Sequence, residues 1–350
     1  MGGLQGMDRR IGEAELARRK MAVGLVASLL AMCGTWAQVK MPRPALVVLS
    51  KDESLLVIVD PATLKLVAKV PTGPIPHEVA VSVDGKIAVV TNYGADGKGR
   101  TLSVIDLDAQ REVQRVDLGA PVGPHGVAFF QGKAWFTAEA GHLIERYNPE
   151  TNRVERWIPI GRGRTHMLVF SRDGSTIYAT DLEQDQVSYW NAQEGAVNQT
   201  KADGAGDGWV AVGKGPEGID VSPDGKEVWA ANSGDGTVSV IDAGKKKVIA
   251  TIDVKTKRSN RLKFTPDGKL VLVSDLGSGD LIVMDAATRK EVKRLPLGKS
   301  VEGILVQPDG TRAFVAVSGD DKVAVVDLKT LQVTGTFAVG KDPDGMAWRR

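Results

Sequence analysis

The sequence predicts an all-β protein, a closed seven-bladed β-propeller with four antiparallel strands in each blade. A turn that ends in glycine recurs at intervals of 42 to 51 residues, at Gly85, Gly132, Gly174, Gly225, Gly268 and Gly310. Short runs rich in valine, isoleucine, threonine and aromatic residues lie between these turns, and residues after 44 show no helical periodicity. Four such strands in a repeat of this length are typical of a propeller blade.

The fifth repeat shows the elements of one blade most clearly. Its four strand-like runs are residues 218–221, 227–230, 237–241 and 248–252. A Pro-Asp-Gly turn, residues 223–225, joins the first two runs. Proline presets φ, the aspartate accepts hydrogen bonds from nearby backbone, and glycine supplies a positive φ, so this turn predicts a hairpin.

The two ends of the repeat region predict how the ring closes. The region begins at residues 45–49 with a run that matches the second strand of a blade, and residues 344–348 match a first strand without partners. We therefore predict that the C-terminal strand completes the first blade. This arrangement leaves no open edge between the first and last blades.

Several repeats resemble the YVTN-type, YncE-like family of β-propellers. The matching segments are residues 91–93, 101–106, 216–219, 222–226, 231–232 and 237–242. The resemblance covers about residues 45–350 and implies the propeller fold. It says little about function, because the family serves as a scaffold for different activities.

The first 44 residues differ from the rest of the chain. Three basic residues, 18–20, precede an uncharged stretch, 21–37, which ends in small residues suited to cleavage before Gln38. We predict a signal peptide over residues 1–37, a linker over 38–44 and a single propeller domain over 45–350, with a periplasmic or secreted location. An uncleaved N-terminal anchor is the alternative. The only cysteine, Cys33, lies in the segment removed, so we expect no disulfides.

The composition limits the classes of partner. The chain has 350 residues, 42% of them hydrophobic, and a formal net charge of +2 with both signs interspersed. Such a balance produces no global field that would favour nucleic acid. We expect a monomer without a membrane span after cleavage, which binds a small molecule or peptide.

One position of the repeat gathers most of the chemically active side chains. It lies just before the predicted first strand of each blade, which lines the central channel. Its occupants are His77, His125, His166, Glu217, Asn260, Glu302 and Asp344. Three of the four histidines of the chain therefore converge at one mouth of the channel, together with three carboxylates.

Loops between the second and third strands open on the same face. They contain the fourth histidine, His142, and add Asp52, Asn92, Glu139, Asp181, Asn232, Asp275 and Asp320. The predicted ligand-binding residues are Asn92, Glu139, His142, Glu217, Asn260, Arg261, Glu302 and Asp344. Arg164 and Arg261 are candidates to pair with a ligand carboxylate or phosphate, or else are solvated loop charges.

Two interpretations of this mouth stay open. Three imidazoles with carboxylates nearby suit a divalent transition metal such as Zn, Cu, Fe or Mn, with His77, His125 and His166 as ligands. Without a metal the mouth is a polar pocket for a small molecule. In either case His77, His166 and Glu302 are the candidates for proton transfer.

We consider three functions. The first is an exported binding protein that uses the mouth for a ligand, with or without a metal. The second, implied by the resemblance to propellers similar to lactone hydrolases and lyases, is a metal-dependent hydrolase or lyase. The third is an interaction scaffold or a DNA-binding propeller, since a relative in this family is associated with DNA, although the near-neutral charge of the chain argues against it.

Overall fold

The protein was studied as a computed structural model, which describes residues 42–120, 122–160, 163–192 and 208–350. The predicted signal peptide, Cys33 and most of the linker lie outside these residues. The described residues form 28 strands in seven four-stranded antiparallel sheets. The predicted fold class is confirmed.

Each sheet is one blade, and we number the blades 1 to 7 in chain order. The innermost strands of blades 1 to 7 are β28 (Pro343–Arg349), β4 (Pro76–Val81), β8 (Pro124–Phe130), β12 (Thr165–Phe170), β16 (Pro216–Val221), β20 (Ser259–Phe264) and β24 (Val301–Val306). The second strands are β1 (Ala45–Ser50), β5 (Ile87–Asn92), β9 (Lys133–Ala138), β13 (Thr176–Asp181), β17 (Glu227–Asn232), β21 (Leu270–Asp275) and β25 (Arg312–Val317).

The two outer strands complete each blade. The third strands are β2 (Leu55–Asp60), β6 (Thr101–Asp106), β10 (Leu143–Asn148), β14 (Gln186–Asn191), β18 (Thr237–Asp242), β22 (Asp280–Asp285) and β26 (Lys322–Asp327). The fourth strands are β3 (Lys65–Pro71), β7 (Arg111–Asp117), β11 (Arg153–Pro159), β15 (Gly208–Ala211), β19 (Lys247–Asp253), β23 (Lys290–Pro296) and β27 (Gln332–Ala338). Two short 3₁₀ turns, Ala95–Gly97 and Ser318–Asp320, follow β5 and β25.

The ring closes as the sequence predicts. β28 pairs with β1, so the C-terminal strand supplies the innermost strand of blade 1. Every innermost strand also packs against the innermost strand of the next blade, and β28 contacts both β24 and β4. Closure thereby covers the edge that blade 1 would otherwise expose.

Hydrophobic packing between neighbouring blades holds the ring together. The described residues contain seven buried clusters, and each one joins two adjacent blades. Strand β1 shows the pattern: Ala45, Val47 and Leu49 pack toward blade 2, whereas Leu46 and Val48 pack toward blade 7. Because successive side chains of a strand point to opposite faces, a strand buried on both faces is a continuous apolar run.

The recurrent turn has the predicted chemistry. Asp224 accepts hydrogen bonds from the Ser222 hydroxyl at 2.7 Å and from the backbone N–H of Lys226 at 3.1 Å. Gly225 has a φ of +75°. The turn is therefore a local feature, and it places the connection between the first two strands on the face opposite the predicted mouth.

The 51-residue spacing from Gly174 to Gly225 predicts an insertion in blade 4 at residues 202–208, all of which except Gly208 lie outside the described residues. Within the part of the chain that the structure describes, no helix is long and apolar enough to span a membrane.

Candidate functional site

The seven predicted ring residues occupy one equivalent position in the structure. Each is the second residue of its innermost strand, rather than the residue before the strand as the sequence predicted. In every blade the register of pairing between the first two strands shifts at this position. A β-bulge of this kind re-aims a side chain, and here it accompanies the convergence of all seven at one mouth.

Three histidines form an arc on one side of this mouth. The ring centroids of His77 and His125 lie 4.8 Å apart, and those of His125 and His166 lie 4.0 Å apart. Tyr93 packs against the first two histidines, at 4.7 Å from His77 and 5.1 Å from His125. The predicted convergence of the histidines is present, and it is closest for His125 and His166.

Glu139 fixes the orientation of His166. Its carboxylate accepts hydrogen bonds from His166 Nδ1 at 2.5 Å, from the Tyr93 hydroxyl at 2.6 Å and from the Arg164 guanidinium at 3.0 Å. Burial opposes the charge on Glu139, but these three partners outweigh it and lower its pKa to about 2. Because an ionised carboxylate only accepts, Nδ1 of His166 carries a proton, and in the neutral form of the ring the lone pair lies on Nε2.

Three imidazole nitrogens at this mouth are buried without hydrogen-bond partners among the described residues. They are Nδ1 of His77, Nδ1 of His125 and Nε2 of His166, of which the first lies 3.4 Å from the carboxylate of Asp344. His125, Glu139 and His166 are all buried, and their candidate ligand atoms lie within 4.8 Å of one another. Buried polar atoms without partners are uncommon in folded proteins and call for an explanation.

Burial keeps two of the histidines neutral. It lowers the pKa of His77 to about 4 and that of His125 well below its ordinary value. The carboxylate of Asp344, 3.4 Å from His77 Nδ1, acts in the opposite direction, but Lys51, Arg261 and His166 add to the lowering. Neutral imidazole is the form that ligates metals and accepts protons.

The pKa of His77 predicts a pH dependence of stability. The unfolded chain protonates His77 near pH 6.5, whereas the folded protein does so near pH 4. Between these values the unfolded state binds more protons, so stability falls as the pH drops from 6.5 to 4, by on the order of 3 kcal/mol. We expect His77→Gln to remove this contribution in urea unfolding at each pH. Free energies of unfolding that change with pH in the same way in the parent and in His77→Gln would contradict the prediction.

Glu302 acts in the opposite sense on the other side of the mouth. Burial and the neighbouring Asp344 raise its pKa to about 7, against the effect of Lys51. Its contribution to stability is therefore lost as the pH rises from 4.5 to 7. Because Glu302 is present in both proteins, the difference in stability between the parent and His77→Gln isolates the contribution of His77. The Ser318 hydroxyl donates to Glu302 at 2.7 Å.

Lys51 organises the carboxylates on this side. Its Nζ lies 2.5 Å from Glu302, 3.3 Å from Asp342 and 3.5 Å from Asp344. Burial alone would lower the pKa of Lys51, but these carboxylates raise it overall. Asp344 stays ionised because Lys51, Arg261 and His77 together outweigh its burial and lower its pKa.

An ion pair crosses the channel beneath the ring residues. Arg261 of blade 6 donates from Nε to Oε1 of Glu78 of blade 2 at 2.9 Å, and its Nη2 contacts the same oxygen. Nη2 also lies 3.7 Å from Asp344. The side chain of Arg261 is buried, which excludes the alternative of a solvated loop charge.

The remaining predicted ligand-binding residues have internal partners. The Asn260 amide donates to Glu217 at 2.9 Å and accepts from Arg261 at 3.0 Å. Asn92 donates to the hydroxyls of Thr101 and Ser103, each at 3.0 Å, within its own blade. His142 is exposed, and its Nδ1 lies 2.5 Å from the carbonyl oxygen of Gly163, apart from the three ring histidines.

Sequence reasoning missed four residues of the mouth, three of them in loops that follow second strands. Lys51, Tyr93, Glu139 and Ser318 each follow directly the second strand of their blades. Of these loop residues only Glu139 was predicted, whereas Asp52, Asn92 and Asp320 were named in the other three loops. A correct placement of the end of each second strand would have found the others. Glu78, the fourth one missed, follows a ring histidine and shows no sequence signal beyond its charge.

Threonines on the second strands tie the ring position of one blade to the next. The Thr91 hydroxyl donates to the carbonyl oxygen of His125 at 2.5 Å and accepts from the N–H of Glu78 at 3.2 Å. Thr137 and Thr180 make the corresponding bonds to the carbonyls of the next two blades. These bonds satisfy backbone groups that the bulge removes from the ladder.

We expect Thr91→Val to destabilise the protein by about 1–3 kcal/mol, because it leaves a buried carbonyl and N–H without partners. Urea unfolding measures the change. Thr334→Val, at an exposed position of β27, is the matched control and should stay within about 0.5 kcal/mol of the parent. Equal effects of the two substitutions would contradict this role for Thr91.

The fold and the mouth together define a closed seven-bladed propeller with a polar site at one end of its channel. A family model described as YNCE-like beta-propeller matches residues 16–206. The chain belongs to this family. No curated protein matches the sequence at a significant level.

Solved structures share the fold at low identity. The periplasmic gluconolactonase PpgL from Pseudomonas aeruginosa is 18% identical with a TM-score of 0.71, over 88% of this chain and 99% of that chain. A candidate 6-phosphogluconolactonase from Bacteroides uniformis ATCC 8492 is 18% identical with a TM-score of 0.73, over 87% and 99%. Hydrazine synthase from Kuenenia stuttgartiensis is 18% identical with a TM-score of 0.67, over 85% and 98%. At this identity the similarities establish the fold alone.

Proposed function

We propose that this protein is an exported binding protein that holds a divalent transition-metal ion, and through it a small ligand, at the histidine mouth of the channel. The observation that carries the proposal is the pair of buried, unpartnered nitrogens on His125 and His166. A metal ion would supply both with the partner that they lack.

The chemistry of these side chains supports the proposal. His125 is held neutral by burial, and His166 presents Nε2 because Glu139 binds its Nδ1 proton. In zinc sites a carboxylate often binds the other ring nitrogen of a metal-binding histidine in this way. Imidazole nitrogen suits Zn, Cu, Fe and Ni, and coordination positions not filled by the protein would accept a ligand from the channel mouth.

Arg164 is placed to meet such a ligand. Its guanidinium contacts Glu139 and the Tyr93 hydroxyl, and about half of its side chain is exposed. It can therefore donate to an anionic group at the mouth without losing its contact with Glu139. Lys51 is buried among three carboxylates, so it serves to balance charge within the site.

Elemental mass spectrometry of the tag-free protein tests the proposal. We expect about one transition-metal ion per chain after incubation with Zn²⁺ or Cu²⁺, and loss of that metal in the His77/His125/His166 triple alanine variant. His142→Ala, an exposed histidine on the same face, is the control. Protein that stays metal-free with every ion, or a triple variant that retains the metal, would overturn the assignment.

Export rests on the pattern of basic, apolar and small residues that ends at Ala37. We expect mature protein recovered from the periplasm of a bacterial host to begin at Gln38, which intact-mass measurement would establish. A full-length product would favour the uncleaved anchor.

Glu302 favours one second candidate, hydrolysis of a lactone. A carboxyl whose pKa is about 7 can exchange a proton near neutral pH, and two of the structural neighbours are named as lactonases. The metal would polarise the carbonyl of the substrate. Glu302 would take a proton from the attacking water and return it to the ring oxygen that leaves the carbonyl. If so, Glu302→Gln should lower the turnover of glucono-1,5-lactone by about 10²- to 10⁴-fold. Turnover no faster than in buffer would exclude this candidate.

A further inference from the structure

An ion pair spans the channel between the two faces of the ring. The Glu78–Arg261 ion pair joins innermost strands on opposite sides of the channel, and Asp344 lies beside the pair. Both partners of the pair also line a cavity of about 750 Å³. This cavity begins at the ion pair and extends to the face opposite the histidine mouth. The ion pair therefore lies between the mouth and this cavity, which we call the second chamber.

The second chamber has the size and lining of a ligand site. All seven innermost strands contribute to its wall. Its apolar residues include Phe130, Phe170 and Leu305, and three turn prolines, Pro223, Pro266 and Pro308, lie at its outer end. Pockets for small molecules commonly have volumes of about 300–1,000 Å³ and combine apolar walls with a few polar groups.

Cationic side chains outnumber anionic ones in the lining of this chamber, with Arg172, Arg261, Lys263 and Arg350 against Glu78 and Asp220. Lys263 is half-buried and forms no ion-pair contact among the described residues, although its charge acts at longer range on Glu78. Arg172 donates to the backbone carbonyls of Val221 and Ser222, which bind its guanidinium without neutralising it. The carboxylate of Asp220 accepts hydrogen bonds from the backbone N–H groups of Val221 and Phe264, which likewise leave its charge in place.

We propose that this chamber is a second ligand site, separate from the histidine mouth, which takes a monoanionic compound with an apolar body. The anionic group pairs with Lys263, and the apolar body fills the space between the strand edges and the phenylalanines. A half-buried ammonium without an ion-pair contact favours an anion in such a confined cavity, because desolvation strengthens the attraction.

A pair of matched fluorescent probes tests the proposal. 8-Anilinonaphthalene-1-sulfonate is an apolar anion, and N-phenyl-1-naphthylamine has the same apolar body without the sulfonate. We expect the anion to bind the folded protein with a stoichiometry of one and about ten-fold tighter than the neutral probe. Lys263→Met should remove this preference. Lys226→Met is the control, because Lys226 is an exposed lysine on the same face.

Further variants distinguish this site from the histidine mouth. His125→Ala/His166→Ala should leave the binding of the anionic probe unchanged, and circular dichroism must show that each variant is folded. The proposal is overturned if the folded parent does not bind the anion, if Lys263→Met and Lys226→Met behave alike, or if the histidine variant loses the probe. A failure of metal binding at the mouth would not affect any of these outcomes.

Discussion

Replacing Arg261 with methionine is expected to destabilise the fold by about 3–5 kcal/mol. The substitution removes the only cation that the structure shows within hydrogen-bond distance of Glu78, among the described residues. It also removes one of the charges that keep Asp344 ionised. Buried carboxylates without a counter-charge are costly, so both would have to take up protons or admit water. Urea unfolding at pH 7 would measure the loss.

A neighbouring arginine is a matched control. Arg258 lies on the loop before the same strand, its side chain is 60% exposed, and its guanidinium is 3.9 Å from Glu217. Arg258→Met should cost less than about 1 kcal/mol, because exposed ion pairs contribute little. Equal losses for the two arginines would mean that the ion pair across the channel has no special role.

The pairing of Arg261 with Glu78 can be tested separately. If the loss in Arg261→Met comes from an uncompensated carboxylate, then adding Glu78→Gln should recover part of it, and the two substitutions should be strongly non-additive. Additive effects would argue that Arg261 stabilises the protein mainly through Asn260 and Asp344.

His166→Ala is expected to lower the metal affinity of the mouth by at least about 100-fold. Removing a group that only orients a metal ligand lowers metal affinity by about 10- to 100-fold. Removing the ligand itself should lower the affinity by at least as much. Isothermal titration with Zn²⁺ measures it. Glu139→Gln should fall in the 10- to 100-fold range, because it removes the charge that holds the Nδ1 proton of His166 while keeping the shape of the side chain.

The pH dependence of this affinity has a definite sign. A metal competes with protons for imidazole, so affinity falls as the pH drops through the pKa of the ligands. Burial lowers the pKa of His125, so this ligand stays unprotonated below pH 6.5, where an ordinary histidine is already half protonated. His142→Ala should change neither the affinity nor its pH profile. An affinity that His125→Ala leaves unchanged would contradict the assignment of His125.

Much of the architecture could be predicted because its causes are local. The recurrent turn depends on three adjacent residues, and the apolar runs that follow it depend on alternation within one strand. When such units repeat, every blade face is covered only if the ring closes. The first blade lacks an innermost strand and the last strand lacks a blade, so the pairing of β28 with β1 follows from counting strands. The same counting placed the three histidines at one mouth.

The partners within the mouth were decided only by the tertiary structure. The sequence shows His77, His125 and His166 as equivalent, but Glu139 binds His166 and Asp344 lies beside His77. Which neighbour a side chain meets depends on small rotations at each bulge and on long side chains reaching across blades. Neither is recorded in spacing along the chain.

The ion pair across the channel illustrates this division most clearly. Glu78 and Arg261 are 183 residues apart, and each is the third residue of its innermost strand. Sequence alone determined that both occupy equivalent positions of a repeat. Only the closed ring brings the two blades to opposite sides of one narrow channel, where burial makes each charge depend on the other. Their pairing depends on distance in space and on the lost solvation of both groups, which are properties of the assembled ring and not of either repeat.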